Sequence, residues 1–318
     1  MAHDPLQVGT LTAEPGQRAY GYVAVRAAGV DLQIPIFLIC GAQPGPTLSV
    51  TAGIHGAEYA SVEAALRLGR TLDPATLRGR VIVAPIANTL AFAARSIYIT
   101  PPDGKNLNRQ FPGLANGTFT QALAYWLFQE VIQQGDAFID LHGGDMIEAL
   151  VPFVIHYRSG DAALDQAAVA LARAFALPYV VPSESGGGTY SAAAGAGIPA
   201  ILAEAGGQGI WSEETVGLLH TGMLRALAHL GMIDAALPAA PPSLVLPGWS
   251  WLRSEHDGLF YPKVQVGERV WTGQDVGRVA DAWGNTLQPL TAPRDGQVLF
   301  LVTALAMNNG DPLMAIGG

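Results

Sequence analysis

Short apolar runs alternate with helical segments through most of the first 230 residues of this 318-residue chain. The runs that we predict as strands are Tyr20–Arg26, Ile34–Cys40, Thr47–Ala52, Val81–Ala87, Ala137–Leu141 and Ile198–Ala203. The spacing of apolar residues predicts helices at Glu58–Leu72, Thr120–Gln134, Ala162–Phe175 and Glu213–Leu230. This alternation predicts an α/β fold with a mostly parallel or mixed sheet and helices on both faces.

The pattern changes after residue 235. Residues 236–248 contain four prolines and predict a linker that follows a catalytic domain over residues 1–235. Residues 249–318 hold short β-prone runs separated by Gly, Asp and Pro, which predicts a small all-β domain. Within it, GERVWTGQDVG and APRDGQV resemble lipoyl/biotinyl-type β domains. The only lysine of this region, Lys263, precedes both stretches, so we do not expect a carrier role.

Charge and composition narrow the function classes. The chain has 26 acidic and 17 basic residues, a formal charge of −9 and a pI near 5.2, so we expect no nucleic-acid partner. The first residues lack a basic stretch followed by an apolar core, and no apolar run reaches about 18 residues. We therefore expect no membrane segment and a cytoplasmic location. The single cysteine, Cys40, ends an apolar run and is predicted to be a buried, inert thiol.

Titratable residues follow three of the predicted strands. His55 and Glu58 follow Thr47–Ala52, and His142 follows Ala137–Leu141. Ligands of open α/β sheets bind beyond the carboxyl ends of strands, so these side chains could converge on one crevice. Two imidazoles and one carboxylate suit a catalytic zinc ion whose fourth position is left to water. Either Asp140 or Asp145 could orient a ligand imidazole. The alternative is two ordinary histidines in glycine-rich turns.

Glu204 follows the Ile198–Ala203 strand and is the candidate general base and acid. It would take a proton from the zinc-activated water and deliver it to the leaving amine. The alternative is a carboxylate at a helix start that interacts with the helix dipole.

A long loop over residues 95–118 carries candidate substrate-binding residues. Asn108 and Arg109 could hold a substrate carboxylate, because the guanidinium fork matches that group bidentately. Arg95 could polarise the scissile carbonyl. The alternative for all three is a solvated loop with turn-forming residues. Tyr190 ends the GGGTY segment, which we interpret as a flexible active-site loop whose tyrosine could donate to the substrate.

The ordered set GIHGAEY, NLNRQFPG, DLHGGD and AEAGG resembles the succinylglutamate desuccinylase/aspartoacylase family of the zinc carboxypeptidase superfamily. The resemblance covers roughly residues 45–210, and the GKNLNR and LHGGD segments are closer to the branch that deacetylates N-acetyl-diaminobutyrate-type compounds than to aspartoacylase itself. It implies one zinc ion per chain and a C-terminal β domain that partly covers the active-site entrance. The roles that it implies are zinc ligands for His55, Glu58 and His142, the catalytic carboxylate for Glu204, carboxylate binding for Asn108 and Arg109, and contact with the acyl carbonyl for Arg95.

We therefore predict a zinc-dependent hydrolase that cleaves the amide bond of a small N-acylated amino acid. One alternative is a zinc carboxypeptidase that acts on peptides, and another is a metal-binding relative without catalytic activity. The sequence leaves open whether the chain forms a homo-oligomer.

Overall fold

A computed structural model describes residues 4–318 of the chain. The strands are, in chain order, β1 (Leu6–Val8), β2 (Leu11–Ala13), β3 (Gln17–Ala27), β4 (Val30–Cys40), β5 (Gln43–Ala52), β6 (Arg78–Ala84), β7 (Ile99–Thr100), β8 (Lys105–Asn106), β9 (Ala137–His142), β10 (Glu148–Leu150), β11 (Phe153–Tyr157), β12 (Tyr179–Ser183), β13 (Ala200–Glu204), β14 (Leu244–Val245), β15 (Trp249–Arg253), β16 (Gly258–Pro262), β17 (Arg269–Val270), β18 (Asp275–Ala280), β19 (Thr286–Thr291), β20 (Gly296–Val302), β21 (Ala306–Met307) and β22 (Pro312–Gly317). The helices are α1 (Tyr59–Thr71), α2 (Thr89–Ala94), α3 (Phe119–Leu127), α4 (Ala162–Phe175), α5 (Thr189–Gly195) and α6 (Glu213–His229), with a 3-10 turn at Leu107–Arg109 and a π-helical turn at Phe128–Ile132. No helix within these described residues combines the length and the apolar character needed to cross a membrane.

The largest sheet of the described residues has the strand order β14-β12-β11-β13-β9-β5-β6-β4-β3. Its centre, β13-β9-β5-β6, is parallel, whereas β4 and β11 run antiparallel to their inner neighbours. This mixed sheet confirms the predicted α/β class. The carboxyl ends of β5, β9 and β13 meet at one edge, because these three strands are parallel neighbours.

Helices cover both faces of the sheet, as predicted. α1, α4 and α6 pack on one face, and α3, α5 and the π-helical turn pack on the other. Successive side chains of β9 point to opposite faces of the sheet. Ile139 packs in the core on the face covered by α1, α4 and α6, and Phe138 packs in the core on the face covered by α3 and α5. By the same alternation, Asp140 and His142 point to the face covered by α3 and α5.

Several element boundaries differ from the prediction. The predicted helix Thr120–Gln134 ends as an α-helix at Leu127 and continues as the π-helical turn. The GGGTY segment, predicted as a loop, is a loop only up to Gly188, because α5 begins at Thr189. The strands β11 and β12 were not predicted, because neither is marked by a long apolar run. Their residues are mostly buried by neighbouring elements of the fold.

The C-terminal region is all-β, with a core of apolar side chains from residues 260–316. A five-stranded sheet has the order β10-β20-β22-β15, with β17 paired to β20, and a four-stranded sheet has the order β19-β18-β16-β21. β10 comes from the chain segment just after His142, so the α/β and β regions share a sheet. The predicted linker 236–248 also contains β14, which pairs with β12 at the edge of the main sheet. The domain boundaries and the lipoyl-like resemblance stay predictions.

Candidate metal centre and active site

The candidate metal ligands lie at the carboxyl ends of β5 and β9. His55 and Glu58 lie between β5 and α1, with Glu58 as the residue that precedes the first turn of the helix. His142 is the last residue of β9. Their ligand atoms all lie within 4.8 Å of one another. The structure thus brings together the three residues that the sequence predicted, although they are up to 87 positions apart (142 − 55).

Both histidines direct Nδ1 at the Glu58 carboxylate. His55 Nδ1 lies 2.6 Å from Glu58 Oε1, and His142 Nδ1 lies 3.0 Å from Glu58 Oε2. The far side of each ring is bound to an oxygen acceptor: His142 Nε2 lies 2.8 Å from Asp140 Oδ2, and His55 Nε2 lies 3.2 Å from Asn106 Oδ1. A neutral imidazole that donates through Nε2 carries its lone pair on Nδ1. When both rings are in that neutral tautomer, two ring lone pairs and one carboxylate face each other.

This donor set fits a divalent cation. Glu58 Oε2 is buried and makes no hydrogen bond, although His142 Nδ1 is close. Burial raises the pKa of Glu58, but the facing imidazoles of His142 and His55 outweigh burial and lower it to about 2. An ionised carboxylate and two imidazole nitrogens are a ligand set that zinc uses in hydrolases.

Asp140 holds His142 in place and is itself fixed from both sides. Thr51 Oγ1 donates to Asp140 Oδ1 at 2.6 Å, and Thr189 Oγ1 donates to Oδ2 at 2.5 Å. Of the two predicted orienting residues, Asp140 therefore contacts a ligand imidazole, whereas Asp145 accepts backbone N–H groups. The pKa of His142 is lowered by burial but raised further by the Asp140 and Glu58 carboxylates, so that it lies well above its ordinary value.

Glu204 is the last residue of β13 and is paired in register with His142. Its Oε2 atom is buried and makes no hydrogen bond, and burial among the other cavity carboxylates raises its pKa well above the ordinary value. No helix begins directly after Glu204, because α6 starts at Glu213, so its position is not that of a carboxylate at a helix start. Instead, Glu204 lines a cavity of about 410 Å³ that also contains the candidate metal ligands.

The three predicted substrate-binding residues line this cavity as well. Asn108 is 4% exposed, and its Oδ1 accepts the Thr189 N–H at 3.0 Å, so that α5 fixes the amide. Arg109 is exposed at the cavity, and Nη1 donates to the Asn108 carbonyl at 2.6 Å. Tyr190 is buried, and its hydroxyl donates to Ser183 Oγ at 3.0 Å. The Arg109 guanidinium at the cavity entrance can bind a small carboxylate ligand, and the Asn108 amide and the Tyr190 hydroxyl inside can position it.

The structure does not bring Arg95 to this cavity. Arg95 ends α2 with a positive φ of 53°, is exposed and is absent from the cavity lining. The next residues fold back as the β7–β8 hairpin, in which Ile99 pairs with Asn106. This hairpin places Tyr98, rather than Arg95, beside the His55 ring, with 6.1 Å between the ring centroids.

Other cavity residues were assigned no role from the sequence. Asn106 accepts from His55, and the Tyr98 hydroxyl donates to Glu148, a buried carboxylate on β10. The C-terminal strands contribute a further wall, which consists of Trp249, Trp251, Arg253, Phe300 and Pro312. Asn106 is itself the first residue of the NLNR stretch, which could have indicated the first of these contacts. The others depend on how distant segments pack.

Fold and site together define an α/β protein with a candidate metal centre at the carboxyl ends of its parallel strands and a β region against the cavity. Residues 44–230 match the family model of the succinylglutamate desuccinylase/aspartoacylase catalytic domain. The chain is 31% identical over 294 residues to the N-alpha-acetyl-L-2,4-diaminobutyric acid deacetylase of Halomonas elongata, covering 90% of this chain and 85% of that protein. The chain belongs to the succinylglutamate desuccinylase/aspartoacylase family.

Two solved structures share the fold over almost their full length. The succinylglutamate desuccinylase/aspartoacylase of Rhodobacter sphaeroides is 29% identical, with a TM-score of 0.84 and 95% of each chain covered. The product-bound ectoine utilization protein EutE of Ruegeria pomeroyi is 27% identical, with a TM-score of 0.86, covering 99% of this chain and 98% of that one. The names of the matched family and of the Halomonas relative describe deacylases of acylated amino acids.

Proposed function

We propose that this protein is a zinc-dependent amidohydrolase that removes the acyl group from a small N-acylated amino acid. The observation that carries the proposal is the convergence of His55, Glu58, His142 and Glu204 on one cavity. A metal site without a nearby base would support only binding, whereas the unpartnered Glu204 carboxyl supports hydrolysis. The deacylase names in the family and in the Halomonas relative support the same reaction class.

The metal site would supply one part of the chemistry. A zinc ion held by His55, Glu58 and His142 would polarise the acyl carbonyl and lower the pKa of a water molecule toward neutrality. Asp140 would keep the His142 ring in the tautomer that leaves Nδ1 free to bind. Asn106 would do the same for His55.

The remaining steps belong to side chains of the cavity. Glu204 would accept a proton from the water that attacks the acyl carbon and pass it to the amine nitrogen as the C–N bond breaks. Arg109 would bind the carboxylate of the amino acid, and Asn108 and Tyr190 would position the substrate near the metal. Arg95 has no part in this scheme, because it lies outside the cavity.

A substrate screen tests the proposal. Zinc-loaded enzyme is assayed with N-acetyl, N-succinyl and N-formyl amino acids, with peptides as a parallel series. We expect zinc-dependent release of free amino acid from at least one acylated series, at a rate above that for peptides. Higher rates with peptides would indicate a carboxypeptidase instead, and bound zinc without turnover of any compound would indicate a non-catalytic relative.

A further inference from the structure

Glu148 is a buried carboxylate in the cavity wall that the proposed reaction does not use. The residue is 6% exposed and begins β10, the strand that joins the C-terminal sheet by pairing with β20. The Tyr98 hydroxyl donates to Oε1, and the Asp145 N–H donates to Oε2 at 2.7 Å. Because a carboxylate has about four acceptor sites, these two donors fix its orientation and leave acceptor capacity for a ligand in the cavity.

Glu148 has no cationic neighbour among residues 4–318 that forms an ion pair with it. The titratable side chains with the largest effects on its pKa are Tyr98 from the β7–β8 hairpin, Asp145 from the loop after β9 and Glu58 ahead of α1, and Glu148 also interacts with Glu204 at the end of β13. All of these are acids. Burial raises the pKa of Glu148 to about 7, although the hydrogen bonds from Tyr98 and Asp145 act to lower it.

A buried carboxylate that has anchored geometry and no ion-pair partner from the protein is costly to keep ionised, and a cationic ligand group beside it would lower that cost. The cavity that Glu148 lines is the one that would hold the substrate. A cationic group of the substrate could therefore supply the missing partner. Arg109, which lines the same cavity, would bind the opposite charge of such a molecule.

We infer that Glu148 is a specificity-determining residue that pairs with a cationic group of the substrate. This inference rests on the proposed function, since it concerns which acylated amino acids the same cavity accepts. The cation could belong to the amino-acid side chain or to the acyl group. In both cases a neutral analogue of the same shape would leave the buried carboxylate unpaired, which is how polar sites reject their neutral isosteres.

Two isosteric substrate pairs test the inference and locate the cation. The first pair is Nα-acetyl-2,4-diaminobutyrate and N-acetyl-norvaline, which differ in a side-chain ammonium. The second pair is N-(3-aminopropanoyl)-norvaline and N-butanoyl-norvaline, which differ in an ammonium on the acyl group and are not α-peptides. We expect the zinc-loaded enzyme to prefer the cationic member of one pair by roughly 10- to 100-fold in kcat/KM, the range expected for a hydrogen bond to a charged group.

The substitutions Glu148→Gln and Glu148→Asp separate charge from structure. Glu148→Gln should bring that preference close to one while hydrolysis of the neutral member stays within a few-fold. Glu148→Asp keeps the charge and should retain most of the preference. Equal loss on both members of a pair in Glu148→Gln, or no preference in the unmodified enzyme, would overturn the inference.

A binding measurement keeps the inference testable if no compound is hydrolysed. In that case the proposed function fails, and calorimetric titration of the zinc-loaded protein with 2,4-diaminobutyrate and norvaline, and with the two acyl-variant compounds, replaces kinetics. Tighter binding of a cationic member that Glu148→Gln abolishes would still support the role of Glu148. Equal binding of charged and neutral members would reject it.

Discussion

Glu204 lies directly opposite His142 in the parallel pairing of β13 with β9. Neighbouring strands are about 4.8 Å apart, and side chains at paired positions point to the same face. The proposed base and a proposed metal ligand are therefore positioned side by side by backbone hydrogen bonds rather than by a mobile loop. A site on adjacent strands of a rigid sheet suits chemistry that depends on the distance between an activated water and its base.

Replacing Glu204 with Gln should separate the chemical step from metal binding. Gln keeps the size of the side chain but cannot accept the proton from water, so we expect kcat to fall roughly 10²- to 10⁴-fold. Zinc content, measured by elemental analysis, should stay near one per chain. In the companion variant His142→Ala, zinc and activity should be lost together. Full activity of metal-free protein, or of Glu204→Gln, would contradict the proposed mechanism.

Asp140→Asn should weaken metal binding without removing a ligand. Asp140 accepts from His142 Nε2, Thr51 and Thr189, so an amide in its place must present its NH2 group to at least one of these donors. We expect zinc affinity to drop roughly 10- to 100-fold, which competition with a chromogenic chelator measures. Asp145→Asn is the matched control, because Asp145 binds backbone N–H groups and no ligand imidazole. Equal zinc affinities for these two variants would show that Asp140 does not act on the metal site.

Arg109 and Arg95 offer a comparison between two exposed arginines of one loop region. Arg109 lines the cavity and Arg95 does not. Arg109→Ala should lower kcat/KM for carboxylate substrates by roughly 10- to 100-fold, and much less for the corresponding carboxamides, because a charge-assisted hydrogen bond is lost. Arg95→Ala should change kcat/KM less than twofold for both the carboxylate substrates and the carboxamides. A large loss in Arg95→Ala would restore its predicted contact with the acyl carbonyl.

Alanine substitutions at two glycines of α6 should change the free energy of unfolding in opposite directions. A Cβ at Gly222 would lie 2.3 Å from the buried Phe175 ring, whereas a Cβ at Gly217 would meet nothing within 4 Å. Gly222→Ala should therefore reduce the free energy of unfolding by about 1–3 kcal/mol through overpacking against α4. Gly217→Ala should raise it by roughly 0.5–1 kcal/mol, since alanine is the better helix former. Urea denaturation of both variants checks the prediction, and a stabilised Gly222→Ala protein would contradict the close packing of α4 and α6.

The alternation of apolar runs and helices was sufficient to predict the α/β class and the principal elements. Helix α4 occupies the predicted residues Ala162–Phe175, and β9 and β13 lie where apolar runs end in His142 and Glu204. These features are local, because a strand or helix is specified by the periodicity of its own side chains. The carboxyl ends of parallel neighbours meet at one edge, so the grouping of His55, Glu58 and His142 could also be predicted from order along the chain.

Tertiary structure alone decided which loop residues reach the cavity. Arg95 and Tyr98 are three positions apart, and only the pairing of β7 with β8 determines that Tyr98 faces His55 while Arg95 faces solvent. The contact of Glu148 with Tyr98 joins residues 50 positions apart, and the strand that carries Glu148 is held by β20, another 150 residues along the chain. No periodicity encodes such contacts, because they result from the packing of irregular segments whose side chains find their partners only after the sheets have assembled.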